Sequence, residues 1–400
     1  MQATDSIFDD AVVMSPARLA AWMRLERTHG VGPRTAPALL SAFGSPEAIF
    51  AAGHDALVRH LNAAQAHALL QPPSADTQRL VEATLRWLEQ PGHTVMALGQ
   101  PGYPELLASI PDPPLLLYIK GCPALLAGPA LAIVGSRNAS TQGKANAQAF
   151  AEALSHAGLA IVSGLALGVD AAAHEGALKG AGGTIAVIGT GPDLVYPARN
   201  RALCERIAAD GCIVSEYPVG TPPLPSNFPK RNRIISGLAA GVLVVEAAAQ
   251  SGSLITARQA AEQGREVFAI PGSIHAALSK GCHLLIREGA KLVDGAADVL
   301  EAMAWSPLAG RRPLPAQAAA RADADADTDA DADAAEPHAA AGDALLLAAL
   351  GHDPVEPDVL LALVGGTPGA LNTRLLLLEL AGAVERLPGG QFQRIVRGDA

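Results

Sequence analysis

Short apolar runs rich in β-branched residues alternate with helical stretches between residues 129 and 303, and this alternation limits the fold more than any other feature. A glycine or a polar turn follows each run, which is typical of βαβ units that build a parallel sheet. The run Val242–Val245 is apolar at every position, as expected for a strand buried on both faces. The runs are Leu131–Val134, Ala160–Val162, Ile185–Ile188, Ile213–Ser215, Val242–Val245 and Val267–Ile270. We therefore predict an α/β fold with a Rossmann-like, doubly wound parallel sheet.

Small residues rich in hydrogen-bond donors follow several of these predicted strands. Ligands of open parallel sheets bind beyond the carboxyl ends of the strands, so we expect these turns to lie together. Glycine lets the backbone approach an anion, helix N-termini attract negative charge, and Arg137 adds a cation suited to phosphate. The candidate binding residues are Gly135, Ser136, Arg137, Ser140, Ser163, Gly164, Gly168, Asp170, Ser251, Gly252, Ser253 and Thr256. One such turn is typical of compact βα geometry alone, but several together favour a site for a polyanion.

A basic segment at residues 227–233 carries three cations and an aromatic ring. Its candidate binding residues are Phe228, Lys230, Arg231, Asn232 and Arg233. Cations at the start of a helix oppose the helix dipole, and an anionic ligand would offset that cost. Phe228 could stack a base. A solvated helix N-terminus is the alternative. We predict that Arg137 and residues 230–233 face one pocket and bind successive phosphates.

The motifs of several enzyme classes are missing from the sequence. The turn at Gly135 lacks the second glycine of a dinucleotide site, and no acid follows at the ribose position. No P-loop and no G-x-S-x-G elbow occurs. Asp170 and His174 lie four residues apart, but two residues do not make a metal site. We therefore expect no catalytic residues, no cofactor and no metal, and interpret this pair as structural.

The regions on either side of the predicted sheet differ from it in composition. Residues 1–95 show helical spacing and contain the turn 30–33, which predicts either a helix-hairpin-helix or sterile-alpha-motif-like phosphate site or a plain helix–helix turn. Residues 96–305 form the Rossmann-like domain. Residues 306–341 are rich in Ala, Asp and Pro, and residues 323–336 carry seven acidic residues and no basic one, so we predict a disordered linker. Residues 342–400 form a small unit of helices followed by a two-stranded wing.

Targeting and redox features are few. The first ten residues have no basic residue, and no apolar run of transmembrane length occurs, so we expect no signal peptide and no membrane partner. The four cysteines are scattered without CxxC spacing, which is typical of reduced, mostly buried thiols. We therefore expect a cytoplasmic protein.

Several long motifs in one order resemble the DprA/Smf family, whose name stands for DNA processing protein A. They are residues 133–137, 163–174, 215–218, 228–237, 246–247, 251–257 and 271–272. The resemblance is strong over residues 129–295 and weaker in the flanking units. It implies a single-stranded-DNA-binding protein without enzymatic activity.

The same resemblance implies that the protein protects incoming DNA and loads the RecA recombinase during natural transformation and recombination. It also implies a homodimer. The helical spacing of residues 1–95 predicts an all-α N-terminal domain, and the C-terminal unit resembles the winged-helix domain of many proteins of this family. The third helix of the C-terminal unit offers only Arg374 as a cation, which favours a protein contact, or weak DNA contact, over sequence-specific reading. The alternative function is a Rossmann-like nucleotide or nucleoside-phosphate hydrolase, but no carboxylate occurs near Thr256 where such an enzyme needs a base.

Overall fold

The computed structural model describes residues 14–32, 34–304, 343, 346–347, 349–350, 354–387 and 389–395. The linker predicted at residues 306–341 lies outside these residues, as does Pro33 of the predicted glycine-rich turn.

Six short helices form the N-terminal unit. They are α1 Pro16–Arg27, α2 Thr35–Phe43, α3 Pro46–Ala51, α4 His54–Leu57, α5 Ala63–Leu70 and α6 Ala75–Leu88. Side-chain caps start several of them, and Asn62 with Gln65 makes a reciprocal capping box at α5. Gly30 turns the chain between α1 and α2 with a φ of 80°, and its carbonyl accepts a hydrogen bond from Gln65 Nε2 at 2.7 Å. A side chain of α5 therefore already binds one backbone carbonyl of this turn. Phosphate binding at the turn stays a prediction.

A nine-stranded sheet forms the centre of the chain. Its strands are β1 His93–Ala97, β2 Leu116–Gly121, β3 Ala130–Val134, β4 Ala160–Ser163, β5 Thr184–Val187, β6 Cys212–Ser215, β7 Gly241–Val244, β8 Glu266–Ala269 and β9 Lys291–Leu292. The spatial order is β1-β2-β6-β5-β4-β3-β7-β8-β9. In this spatial order the seven strands from β6 through β3 to β9 are parallel, while β2 is antiparallel to both β1 and β6.

Helices cover both faces of this sheet. They are α7 Glu105–Ala108, α8 Thr141–His156, α9 Val169–Ala177, α10 Arg201–Asp210, α11 Asn227–Leu238, α12 Gly252–Glu262, α13 Lys280–Arg287 and α14 Ala296–Ala302. One apolar core lies under α11 and α12, and another lies under α8 and α9. Strands β3 to β7 are therefore buried along their whole length on both faces, which explains their continuous apolar runs.

The predicted α/β class is confirmed, and the six predicted runs match β3 to β8 to within one residue at each end. The predicted domain boundary between residues 95 and 96 falls inside β1. This strand pairs with β2, and Leu116 and Tyr118 of β2 are buried in the core of the N-terminal helices. The helical unit and the sheet therefore share an apolar core.

The described C-terminal residues form two further helices and a two-stranded wing: α15 Pro357–Val364, α16 Pro368–Leu380, β10 Val384–Arg386 and β11 Phe392–Arg394. No single described helix is long and apolar enough to cross a membrane; α15 and α16 reach that length only as a pair bent by 108°. All four cysteines are free, and three of them are buried.

Candidate nucleic-acid interface

The order of the strands reverses at β3. The chain runs from β3 through β4 and β5 to β6 on one side, and β7, β8 and β9 lie on the other. Such a switch point leaves a crevice beyond the carboxyl ends of the strands. Here a cleft of about 460 Å³ opens over the ends of β3 and β7. A cavity of this size accommodates a group as large as a nucleotide.

Three segments of backbone approach one another closely at the end of β3. A Cβ atom on Gly135 would lie 2.6 Å from Val169 Cγ2, and one on Gly168 would lie 2.3 Å from the carbonyl oxygen of Ser136. Gly168 also has a φ of 82°, and the Ser136 amide donates to the carbonyl of Glu246 at 2.7 Å. Packing therefore requires both glycines. Gly168 lies behind the lining of the cleft, against the backbone of Ser136 and Arg137.

Arg137 is an exposed cation at the edge of the cleft. It makes no ion pair with any residue that the structure describes. The next residue, Asn138, is also exposed, and its amide donates to Ser136 Oγ at 3.1 Å. The guanidinium is therefore available to an incoming anion, and its planar fork suits phosphate.

The N-terminus of α12 forms the opposite wall. Ser251 caps the helix, since its Oγ accepts from the Ser253 amide at 3.3 Å. A Cβ atom on Gly252 would have nothing within 4 Å, so a ligand can approach this backbone freely. The first amides of a helix have no partner within it and attract negative charge. This wall therefore complements Arg137 across the cleft.

Arg231 is a buried cation in the cleft lining, with 4% of its surface exposed. Its Nη1 donates to the carbonyl of Gly164 at 2.6 Å and also to the carbonyl of Val187. A Cβ atom on Gly164 would lie 2.4 Å from Arg231 Nη2. Burial lowers the pKa of Arg231 to about 10, so it stays charged at neutral pH. It links the ends of β4 and β5 and adds positive charge below the cleft surface.

Asp170 holds the loop that follows β4. Its carboxylate accepts from the amides of Gly164 at 3.2 Å and Ala166 at 3.3 Å. Burial raises the pKa of Asp170, while the charge of Arg231 acts in the opposite direction. The side chain is 7% exposed. Asp170 thus touches the cleft but is occupied by its own backbone partners.

His174 anchors the same loop from below and is fully buried. The Leu165 amide donates to its Nε2 at 3.3 Å, so the ring proton resides on Nδ1, which lies 2.7 Å from Thr184 Oγ1. Burial lowers the pKa of His174 to about 3. Within the described residues no group of three His, Cys, Asp or Glu side chains could hold a metal ion. Asp170 and His174 thus both accept hydrogen bonds from backbone amides of the loop after β4.

Carboxylates occupy the N-terminus of α8. Glu246 accepts from the Ser140 amide at 2.9 Å and from Ser140 Oγ at 2.6 Å. Glu385 of β10, in the C-terminal wing, accepts from the Thr141 amide at 2.7 Å. Burial is the main cause that raises the pKa of Glu246, and Glu385 raises it further. The first amides of α8 therefore already have anionic partners, and Ser140 faces one of them instead of the cleft.

The structure divides the predicted basic cluster, and the expectation that residues 230–233 all face one pocket is wrong. Only Arg231 and Asn232 of these residues line the cleft. Arg233 donates to Glu216 Oε2 at 2.6 Å and to Asp112 Oδ2 at 3.1 Å. Successive helical residues are about 100° apart, so four of them cannot share one face.

Lys230 lies outside the cleft lining as well. Its Nζ is 3.6 Å from Glu216 Oε2 and lies over the Tyr217 ring, 5.6 Å from the ring centroid. Carboxylates of the protein itself, rather than an external anion, thus partly offset the cost of cations at the start of α11.

Most of the other predicted residues do meet. Those that line the cleft are Gly135, Ser136, Arg137, Asp170, Phe228, Arg231, Asn232, Ser251, Gly252, Ser253 and Thr256. Ser163 does not, because its Oγ donates to the carbonyl of Ile133 at 2.6 Å and the side chain is buried. Gly164, Gly168, Ser140, Lys230 and Arg233 also lie outside the lining.

Two polar residues of the cleft were not among the predicted binding residues: Asn138 and Gln250, both exposed. Each carries an amide side chain within a turn that follows a predicted strand. The position of these turns was the signal that could have found them, since every polar residue at the carboxyl end of a parallel strand is a candidate.

Comparisons with known proteins bear on this cleft. The family model for DNA recombination-mediator protein A matches residues 94–304, and that for the DprA winged helix domain matches residues 330–390. Protein Smf of Escherichia coli (strain K12) is 40% identical over 314 residues, which cover 78% of this chain and 80% of that protein.

Two further comparisons concern Streptococcus pneumoniae. DNA processing protein DprA of strain ATCC BAA-255 / R6 is 54% identical over 198 residues, covering 50% of this chain and 70% of that protein. The X-ray structure of DNA processing protein A (DprA) from this species has a TM-score of 0.61 and 41% sequence identity, and the match covers 71% of this chain and 97% of that chain.

Proposed function

The chain belongs to the DNA recombination-mediator protein A family, and on that premise we propose that it binds single-stranded DNA in the cleft over β3 and β7. Its role in DNA processing during recombination follows from the family. The cleft itself supports the finer proposal, because an exposed cation, a helix N-terminus and an aromatic ring converge in one place.

Each part of the cleft suits a different part of a nucleotide. Arg137 and the amides at the start of α12 suit phosphates, and the Phe228 ring offers a surface on which a base can stack. The amides of Asn232, Asn138 and Gln250 add donors and acceptors for base edges. An aromatic ring can stack on the face of a base only when that base is not already stacked on both sides within a duplex. This requirement favours single strands over duplexes.

We propose binding rather than catalysis. Among the described residues that line the cleft, Asp170 is the one with a carboxylate, and two backbone amides already occupy it. A nucleotide hydrolase needs a general base within reach of its water. The test is incubation with nucleoside monophosphates, ATP and labelled oligonucleotides, with and without divalent metals. Turnover that is lost in Asp170→Ala or His174→Ala while binding remains would favour the hydrolase alternative.

The partners implied by the resemblance, RecA and a second copy of the chain, also belong to the proposal. An exposed apolar surface at the β9 edge of the sheet suits a homodimer, with Ile274 67% exposed and Leu292 53% exposed. Sedimentation of the wild type and of Leu292→Glu tests this assembly. RecA filament growth on coated single strands, with and without this protein, tests loading; no change in growth would exclude it.

The C-terminal unit suits a protein contact better than base reading. Arg374, the cation of α16, is paired with Asp343 at 3.2 Å. The exposed side chains of the same helix include Leu376, Leu377 and Leu380. A helix that reads bases presents basic and amide side chains instead.

The decisive experiment compares the affinity of the whole protein for one sequence as a single strand and as a duplex, by fluorescence anisotropy over a range of salt concentrations. We expect tighter binding of the single strand and a fall in affinity with salt. Equal affinity for the two forms, or binding of neither, would refute the proposal.

A further inference from the structure

An exposed aromatic ring lies beside the cleft without being part of its lining. Tyr196 is 48% exposed, and its ring centroid is 5.4 Å from that of Phe228 at an interplanar angle of 39°. Phe228 belongs to the cleft lining, whereas Tyr196 does not. The aromatic surface therefore continues from inside the cleft onto the outer surface of the protein.

The position of Phe228 is fixed by its neighbours. A Cβ atom on Gly189 would lie 3.0 Å from Phe228 Cδ1, so glycine makes room for this ring. Next to it, Asn227 Nδ2 donates to the carbonyl of Gly189 at 3.1 Å, and the Tyr217 hydroxyl donates to the carbonyl of Asn227 at 3.2 Å. These contacts tie the start of α11 to the loop after β5.

Hydrogen bonds on both sides also hold the loop that carries Tyr196. Thr190 Oγ1 donates to the carbonyl of Leu194 at 3.0 Å, and Asp193 Oδ1 accepts from the Gly220 amide at 2.8 Å. Asn200 Nδ2 donates to the carbonyl of Leu165 at 2.9 Å. The loop is thus anchored before and after Tyr196, and the ring is held in an exposed position.

We propose that Tyr196 is a second base-stacking platform, which holds the base next to the one held at Phe228 on the same strand. This inference rests on the proposed binding of single-stranded DNA. The two rings are in direct contact, so no base fits between them, and each base lies on an outer face. Arg199 and Arg201 are exposed and follow closely in the chain, where they can meet the strand as it leaves the cleft.

The first test measures single-strand affinity for Tyr196→Ala, Tyr196→Phe and Tyr196→Leu in the whole protein. Loss of one base–aromatic stack costs roughly 5- to 100-fold in affinity. We expect a loss in that range for alanine and leucine and wild-type affinity for phenylalanine. The salt dependence stays unchanged in all three, because no phosphate contact is lost. Thermal unfolding of each variant shows that the fold is kept.

Each other outcome has a defined meaning. Wild-type affinity of Tyr196→Ala contradicts the inference. Full affinity of Tyr196→Leu shows that the side chain only supports Phe228, and equal weakening by phenylalanine and alanine shows that the hydroxyl matters; both results overturn stacking.

A second test places one abasic site at each position of a short oligonucleotide. Wild type should show two adjacent positions where the missing base weakens binding, and Tyr196→Ala should lose sensitivity at one of them. A single sensitive position in wild type would overturn the inference. Failure of wild type to bind any single strand would instead refute the proposed function.

Discussion

Arg137 differs from the other cations near the cleft because neither a carboxylate nor a backbone carbonyl among the described residues binds its guanidinium. Arg231 is engaged by backbone carbonyls, and Arg233 by two carboxylates. We expect Arg137→Ala to weaken single-strand binding and to reduce the slope of log affinity against log salt by about 0.7, the value for one phosphate on a single strand. Arg79→Ala is the control, since that residue is exposed on α6 and far in the chain from the cleft. An unchanged slope for Arg137→Ala would show that this side chain does not contact phosphate.

The buried imidazole of His174 predicts a pH dependence of stability. Its pKa is lowered from 6.5 to about 3 by burial, so between these values the unfolded chain binds a proton that the folded protein does not. The free energy of unfolding therefore falls as pH drops below 6.5, by up to about 1.4 kcal/mol per pH unit. His174→Gln removes this titratable group, so the stability of the variant should fall less steeply as pH decreases. Urea unfolding at pH 7 and pH 4.5 measures both slopes, and parallel curves would contradict the assignment.

At the scale of elements, helix α11 shows what the sequence could and could not predict. The strands were predictable because each is a continuous apolar run that ends at a glycine or polar turn. The positions of the Lys230 and Arg233 side chains could not be predicted. They depend on Glu216 and Asp112, which lie 17 and 121 residues from Arg233 in the chain. In the same way, Glu246 reaches the start of α8 from 106 residues away. Local patterns therefore identify the turns of the site, but tertiary partners decide which side chains stay free.

The Arg233 network fixes α11 to the end of β6. Arg233→Ala would leave the buried Glu216 carboxylate without its main partner, and breaking such a pair costs about 3–5 kcal/mol of stability. Lys230→Ala is the matched control on the same helix. The Lys230 side chain is 54% exposed, and its Nζ is 3.6 Å from Glu216 Oε2, farther than Arg233 Nη2 at 2.6 Å. We therefore expect this variant to lose less than about 1 kcal/mol of stability. Chemical denaturation of both variants measures the difference. Equal costs would mean that the network does not hold this helix.

At the scale of the whole molecule, the reversal of strand order at β3 places the cleft. The turns after β3, β4 and β7 meet there because these strands are parallel. The sequence predicted this meeting from the strand pattern alone. It also predicted a two-stranded wing, but not that Glu385 of this wing reaches the first turn of α8 beside Glu246. Two carboxylates near one edge of an anion site lower its attraction for phosphate. The C-terminal unit thus adds negative charge beside the cleft in which we propose that the strand binds.

Removal of residues 307–400 tests how independent the central domain is. Among the residues that the structure describes, none beyond 304 belongs to the apolar cores of the sheet and of the N-terminal helices, and a separate cluster forms the core of the C-terminal unit. We therefore expect the truncated chain to unfold cooperatively and to bind single strands at least as tightly as the full chain, since the Glu385 carboxylate is gone. Glu385→Gln in the full chain is the matched control and should raise affinity in the same direction, by less than about tenfold for one weakened charge contact. Loss of cooperative unfolding on truncation would show that the C-terminal unit is part of the central fold, and weaker binding by both proteins would show that the wing supports the strand instead of repelling it.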